Sequence, residues 1–140
     1  MVWIKAFAAG FLATLVFHQG VLGLMYVSGM VPVTPFSLEP VPPLGVPSIL
    51  SLAFFGGLWG LPAWALMAHR SSLGYWAVAV VFGAIFPTAV AMLVVFPLKD
   101  LTVTPSHWVI GFVLNGAWGL GVGVFMLLMG AWRSSSEGLQ

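Results

Sequence analysis

The apolar positions of this chain fall into four long stretches, and the charged positions mark where each stretch stops. Lys5, Glu39, Arg70, Lys99, Asp100, Arg133 and Glu137 leave residues 6–38, 40–69, 71–98 and 101–132 free of charge. A transmembrane helix takes about 20 mainly apolar residues. Each interval holds one such helix, and none has room for two with a turn and caps. The helices are expected at about Trp3–Gly29, Ser48–Ala68, Tyr75–Phe96 and Ser106–Trp132.

The residues between these stretches suit connections. Residues 30–47 form a proline-rich connector, with six of the chain's ten prolines between Pro32 and Pro47. Proline lacks the donor a helix needs and biases its predecessor towards extended backbone. A semi-rigid strap lying on the membrane interface is expected, rather than a moving lid, because Phe36, Leu38, Val41, Leu44 and Val46 accompany the prolines. His69-Arg70-Ser71-Ser72 is a short polar turn, Pro97 ends the third helix, and Thr104-Pro105 is an N-cap followed by proline at the first helical position. The polar tail from Arg133 to Gln140 should fray. Lys5 and the run after it differ from a signal peptide, because the run exceeds 7–15 apolar residues and contains His18 and Gln19.

Four spans bring both termini to one side. That side carries Lys5, Arg70 and Arg133 and the other only Lys99, so the positive-inside rule orients the chain N-in and C-in. Trp3, Trp64, Trp76, Trp108 and Trp132, with Tyr26 and Tyr75, fall near helix ends, where amphipathic rings favour the headgroup layer.

Composition agrees with this pattern and excludes alternatives. Of 140 residues 61% are hydrophobic and 5% charged, against about 25% charged in soluble domains. Too few charges remain to cover a folded surface in water. The expected fold is an all-α integral membrane protein, one membrane domain over residues 1–140, in a bacterial inner membrane. A net charge of +1 offers nucleic acid no basic surface, and the absence of Cys removes disulfides, thiol catalysis and thiolate metal sites.

Two tryptophans sit in mid-span within matching words. Gly56-Gly57-Leu58-Trp59-Gly60-Leu61 and Asn115-Gly116-Ala117-Trp118-Gly119-Leu120 lie 59 positions apart, and each of these helices opens with Pro-Ser. A weaker match places Phe17-His18-Gln19 against Phe86-Pro87-Thr88, 69 positions apart. These matches imply two tandem hairpins, a parallel repeat about an axis along the membrane normal. Coincidence among residues common in membrane helices is the plainer reading. In lipid, helices associate through close approach at small residues. Gly111, Asn115, Gly119 and Gly123, with Gly116 beside them, groove the fourth helix; Ala53, Gly57 and Gly60 groove the second. The two grooves are expected to face each other near the pseudo-axis, or one of them to receive a partner subunit.

Polar groups within spans are candidate functional sites by default. His18, Gln19, Thr88 and Asn115, with Trp59 and Trp118, are expected to form a central polar and aromatic layer, Thr14 lying one turn from His18. The sharper reading is a pocket around His18. The plainer one is an interhelical hydrogen bond from His18 to a carbonyl, with Gln19 and Asn115 also structural and both tryptophans packed on glycine grooves. Pro62 and Pro87 are expected to adapt helix shape more than to act as hinges. No metal or cofactor is expected, because His18, His69 and His107 lie at different depths. No span holds the acid, lysine or thiol that intramembrane hydrolysis needs, so an enzyme is the least favoured class.

In size and span count the chain is similar to the small multidrug resistance transporters, compact four-helix proteins that act as dimers. Their membrane-embedded glutamate has no counterpart here: His18 is the comparably central ionisable residue of the first helix, and no residue or activity carries over. The reading favoured by the sequence is an accessory, assembly or scaffolding module whose membrane-protein partner docks on the glycine-grooved second and fourth helices. The alternative is a small transporter or channel, as a homo-oligomer, using His18.

Overall fold

The computed structural model describes residues 1–131. Four helices are long and apolar enough to cross a bilayer: α1 Val2–Val27, α2 Ser48–Met67, α3 Ser72–Leu98 and α4 Pro105–Leu128. α2, α3 and α4 fall within charge-free intervals, and α1 starts just ahead of its own, with Lys5 in its first turn. Trp132, Arg133, Glu137 and the rest of the polar tail lie outside the described residues.

The helix ends show which local rules operate. α1 stops at Val27, two residues before the expected limit, because Gly29 adopts a φ of 77° and Met30 N–H returns to the Met25 carbonyl at 2.9 Å. This is a glycine-terminated helix end. α3 begins at Ser72 instead of Tyr75, since the Ser71 side chain accepts from Gly74 N–H at 3.3 Å. It also runs through Pro97 to Leu98, correcting Pro97 as its terminator. A π turn at Ala91–Val95 precedes the short α segment Phe96–Leu98, which places Pro97 in a first-turn position where its missing N–H costs little. α4 starts as expected, with Thr104 at the N-cap and Pro105 at the first position. His107 occupies the third position, its Nδ1 accepting from the Thr104 backbone N–H at 3.1 Å, where a capping box ordinarily has Glu or Gln. Regular α4 closes at Leu128, ahead of the expected Trp132, and Gly130 takes a φ of 72°.

α1 contains a second π turn, Thr14–His18. Neither π turn has a compositional signal. In the connector, β1 (Pro40–Val41) and β2 (Val46–Pro47) pair antiparallel, with Pro40 opposite Pro47 and Val41 opposite Val46. The remainder is non-helical, as the prolines require.

α1 packs antiparallel on α2, and α3 on α4. The two pairs join chiefly through α1 on α4, with α2 on α3 as a lesser contact, while α2 and α4 scarcely meet. The expectation that the α2 and α4 grooves face each other is therefore corrected. Each groove is filled by its neighbour in sequence, because the helix joined by the connection is the first available surface for close approach.

Lys5 and Arg70 lie at one end of the bundle, and Glu39, Lys99 and Asp100 at the other. Lys5 Nζ donates to the Met129 carbonyl at 2.9 Å and Arg70 Nε to the Leu66 carbonyl at 3.0 Å. Both cations thus sit on carbonyls at helix C-terminal ends, where the helix dipole favours positive charge. Trp3 and Tyr26 are exposed near helix ends, as belt residues are. Trp64 and Tyr75 instead turn inward and are almost fully buried, their rings edge to face at 6.4 Å.

Candidate functional site

The glycines define the first level of the site by setting how close the helices come. A Cβ on Gly60 would strike the Ala6 carbonyl, and one on Gly119 would strike the Ala79 carbonyl. Gly10 meets the Gly56 carbonyl in the first pair as Gly83 meets the Asn115 carbonyl in the second. The equivalent contacts use positions 6 and 79, and 10 and 83, which are 73 apart. The sequence match at 69 is therefore displaced by about one helical turn from the register in which the helices make equivalent contacts. Gly57 faces the Phe7 ring, Gly123 the Trp76 ring, and Gly111 the Thr88 methyl, each so closely that a Cβ would come within 2.6–2.7 Å. Gly116 is looser, its nearest neighbour being Ala84 Cβ at 3.6 Å.

Polar side chains within the spans are satisfied in separate groups. Trp118 Nε1 donates to the Gly10 carbonyl at 3.0 Å, and the Thr14 hydroxyl donates to the same oxygen at 3.0 Å. Trp59 packs edge-on against Phe82 with centroids 6.0 Å apart. The two tryptophans of the matching words thus have different roles. Asn115 Nδ2 donates to Thr88 Oγ1 at 2.9 Å, linking α4 to a fully buried position on α3.

His18 and Gln19 form a third group. Gln19 Oε1 accepts from the Phe36 backbone N–H at 2.7 Å, and Gln19 Nε2 lies 3.2 Å from His18 Nδ1. Gln19 is buried, and Phe36 has a φ of 54°. Pro35 approaches the vacant side-chain position of Gly23, one turn along α1, at 3.6 Å. The connector is thereby tied to α1 beside His18. Among the described residues His18 has no hydrogen bond to another helix.

The expected single layer is thus three hydrogen-bonded groups and one ring contact: Trp118 with Thr14, Asn115 with Thr88, His18 with Gln19, and Trp59 with Phe82. Comparison of the chain with protein-family models, with curated proteins and with solved structures gives no match. The geometry is therefore the sole ground for a functional reading.

Sequence reasoning missed four participants. Gly10 and Gly83 carried a usable signal, since Ala6-x-x-x-Gly10 and Ala79-x-x-x-Gly83 are both small-x-x-x-small words. Tyr75 donates its hydroxyl to the Gly123 carbonyl at 2.7 Å in a buried site, although its position suggested a headgroup residue. Phe36 acts through its backbone N–H, which its identity does not advertise. Among the described residues no cluster of three or more His, Cys, Asp or Glu could hold a metal ion.

Proposed function

We propose that the protein is a small transporter whose solute-handling group is His18, situated beneath the proline-rich connector. The observation that carries this reading is the hydrogen-bonded path from His18 through Gln19 to the Phe36 backbone. An imidazole serving only to fasten helices would donate to a carbonyl on a neighbouring helix. His18 instead bonds to Gln19, the side chain that also holds the connector at the Phe36 backbone. Ionisable side chains within spans are expensive, and a site of use is their default explanation.

A homodimer is the assembly this reading favours, since the small residues within each hairpin bring its helices too close to enclose a path between them. The proposal places both termini on the cytoplasmic side of a bacterial inner membrane, supported by Lys5 and Arg70 at one end of the bundle. It also treats the chain as a tandem duplication of one hairpin, supported by the paired Gly60–Ala6 and Gly119–Ala79 contacts.

A second reading, an accessory or assembly module, has a different surface in its favour. The grooves of α2 and α4 are occupied by α1 and α3, but Phe7, Phe54 and Phe55 form an edge-to-face series with centroids 5.7–5.8 Å apart, and Phe54 and Phe55 are exposed. Mild-detergent purification from the native membrane separates the readings: a lone homodimer favours transport, and a stoichiometric membrane-protein partner favours the module.

The direct test uses proteoliposomes loaded with a pH-sensitive dye and given a pH gradient. His18→Ala should abolish the pH-dependent flux while helical content is unchanged; undiminished flux would remove His18 from the path.

A further inference from the structure

We infer that Gln19 sets the tautomer of His18, so that His18 Nε2–H is a hydrogen-bond donor for the carbonyl oxygen of a neutral, lipid-soluble molecule. This rests on the proposal that His18 meets a ligand, and it names the ligand's chemistry. The backbone N–H of Phe36 can act only as a donor. That N–H lies 2.7 Å from the Gln19 side chain and requires an acceptor there, so the amide oxygen faces Phe36. The amide nitrogen must then face His18 Nδ1, 3.2 Å away. An amide NH₂ only donates, so Nδ1 presents its lone pair and the proton of the neutral ring resides on Nε2.

Nε2–H has no hydrogen-bond partner among the described residues. Among the described residues no side-chain nitrogen or oxygen is fully buried without a partner, so Nε2 is not sealed within protein. It is presented to whatever reaches the half-buried face of His18.

Three features of the surroundings select the acceptor. His18 is nine residues from the connector end of α1, about 14 Å at 1.5 Å per residue, which places it within the apolar span. The charged groups at that end, Glu39, Lys99 and Asp100, lie outside the spans on the connector and on the turn between α3 and α4, so an ion finds no partner at the depth of His18. The connector beside it exposes Val33, Phe36, Leu38 and Leu44, an approach suited to an apolar body bearing one polar atom. A bare donor in such surroundings recognises a carbonyl oxygen, whether on a quinone-type ring or on an acyl ester. The same tautomer disfavours a metal on Nε2, which would require the proton on Nδ1, opposite a second donor.

The test is nitrogen-15 NMR of histidine-labelled protein in nanodiscs, the His18 signals assigned by their loss in His18→Ala. The wild type should show Nδ1 unprotonated and Nε2 protonated, and Gln19→Leu should mix the two tautomers. Nanodiscs of ether-linked lipid, of ester-linked lipid, and of ether-linked lipid with a short-chain benzoquinone then identify the acceptor. A downfield shift of Nε2–H on adding the benzoquinone assigns a quinone-type carbonyl; one on changing ether to ester lipid assigns an acyl ester. A proton found on Nδ1, or an Nε2–H signal the same in all three membranes, overturns the inference. Loss of transport activity would not move this readout, so failure of the transport reading is distinguishable from failure of the ligand assignment.

Discussion

The indole Nε1 of Trp118 in α4 lies 3.0 Å from the carbonyl oxygen of Gly10 in α1, joining residues 108 positions apart. Gly10 is also packed directly against the α2 backbone at Gly56, so this one residue touches both helical pairs. The absence of a side chain at position 10 serves the contact with Gly56, and its carbonyl serves the contact with Trp118. Close approach and polar pairing thereby meet at one residue.

Trp118→Phe keeps the ring and removes the donor. Stability in mild detergent should fall by about 1 kcal/mol, the scale of interhelical hydrogen bonds in membranes, because Thr14 still donates to Gly10. An unfolding midpoint equal to that of the wild type would show that the bond contributes nothing.

Gly60→Ala and Gly119→Ala each drive a methyl into a backbone carbonyl of the adjacent helix. Each should cost at least ~2 kcal/mol, because backbone has to shift to make room. Gly20 has nothing within 4 Å of its vacant side-chain position, so Gly20→Ala serves as control. Equal unfolding transitions for all three variants would contradict the arrangement of the pairs.

Asn115 and Thr88 are coupled across α4 and α3 by a 2.9 Å bond. A double-mutant cycle with Asn115→Leu and Thr88→Val should give a coupling energy between about 0.6 and 1.7 kcal/mol. Strictly additive effects would mean that each side chain bonds elsewhere.

His107 closes the first turn of α4 through Nδ1. His107→Ala should destabilise the protein by about 1 kcal/mol, the usual cost of a lost cap. His107→Gln restores an acceptor at the same helical position and should recover most of that loss. If both variants unfold alike, the imidazole acts at this site by bulk alone, through its ring contact with Phe96 at 5.5 Å.

The four spans were legible because a charge within lipid is expensive, so the charged residues could fall only at the borders of the spans or beyond them. The start of α4 was legible for a comparable reason, since Thr-Pro is a local signal that needs no tertiary contact. The grooves were also visible as small residues at helical spacing. Their partners were not, because in lipid every helix face is apolar and spacing marks a surface without naming what meets it. The π turns escaped because a single-residue shift of register leaves side-chain composition unchanged. Gln19 was recognised as an unusual polar residue but assigned to a central layer, since its link to Phe36 depends on the path of the connector.

Chain order and composition alone settled how many helices of membrane-spanning length form, nearly where each begins, and that the segment after the first is non-helical. Those features follow from local energies: the cost of burying charge, the missing donor of proline and the caps of single turns. Three-dimensional packing settled which groove each helix fills, the register of Ala6 and Gly10 against that of Ala79 and Gly83, and the separation of the polar residues into distinct pairs. Such choices depend on sub-ångström approach between backbones distant in sequence and on hydrogen-bond geometry, which a one-dimensional pattern of apolar and polar residues does not contain.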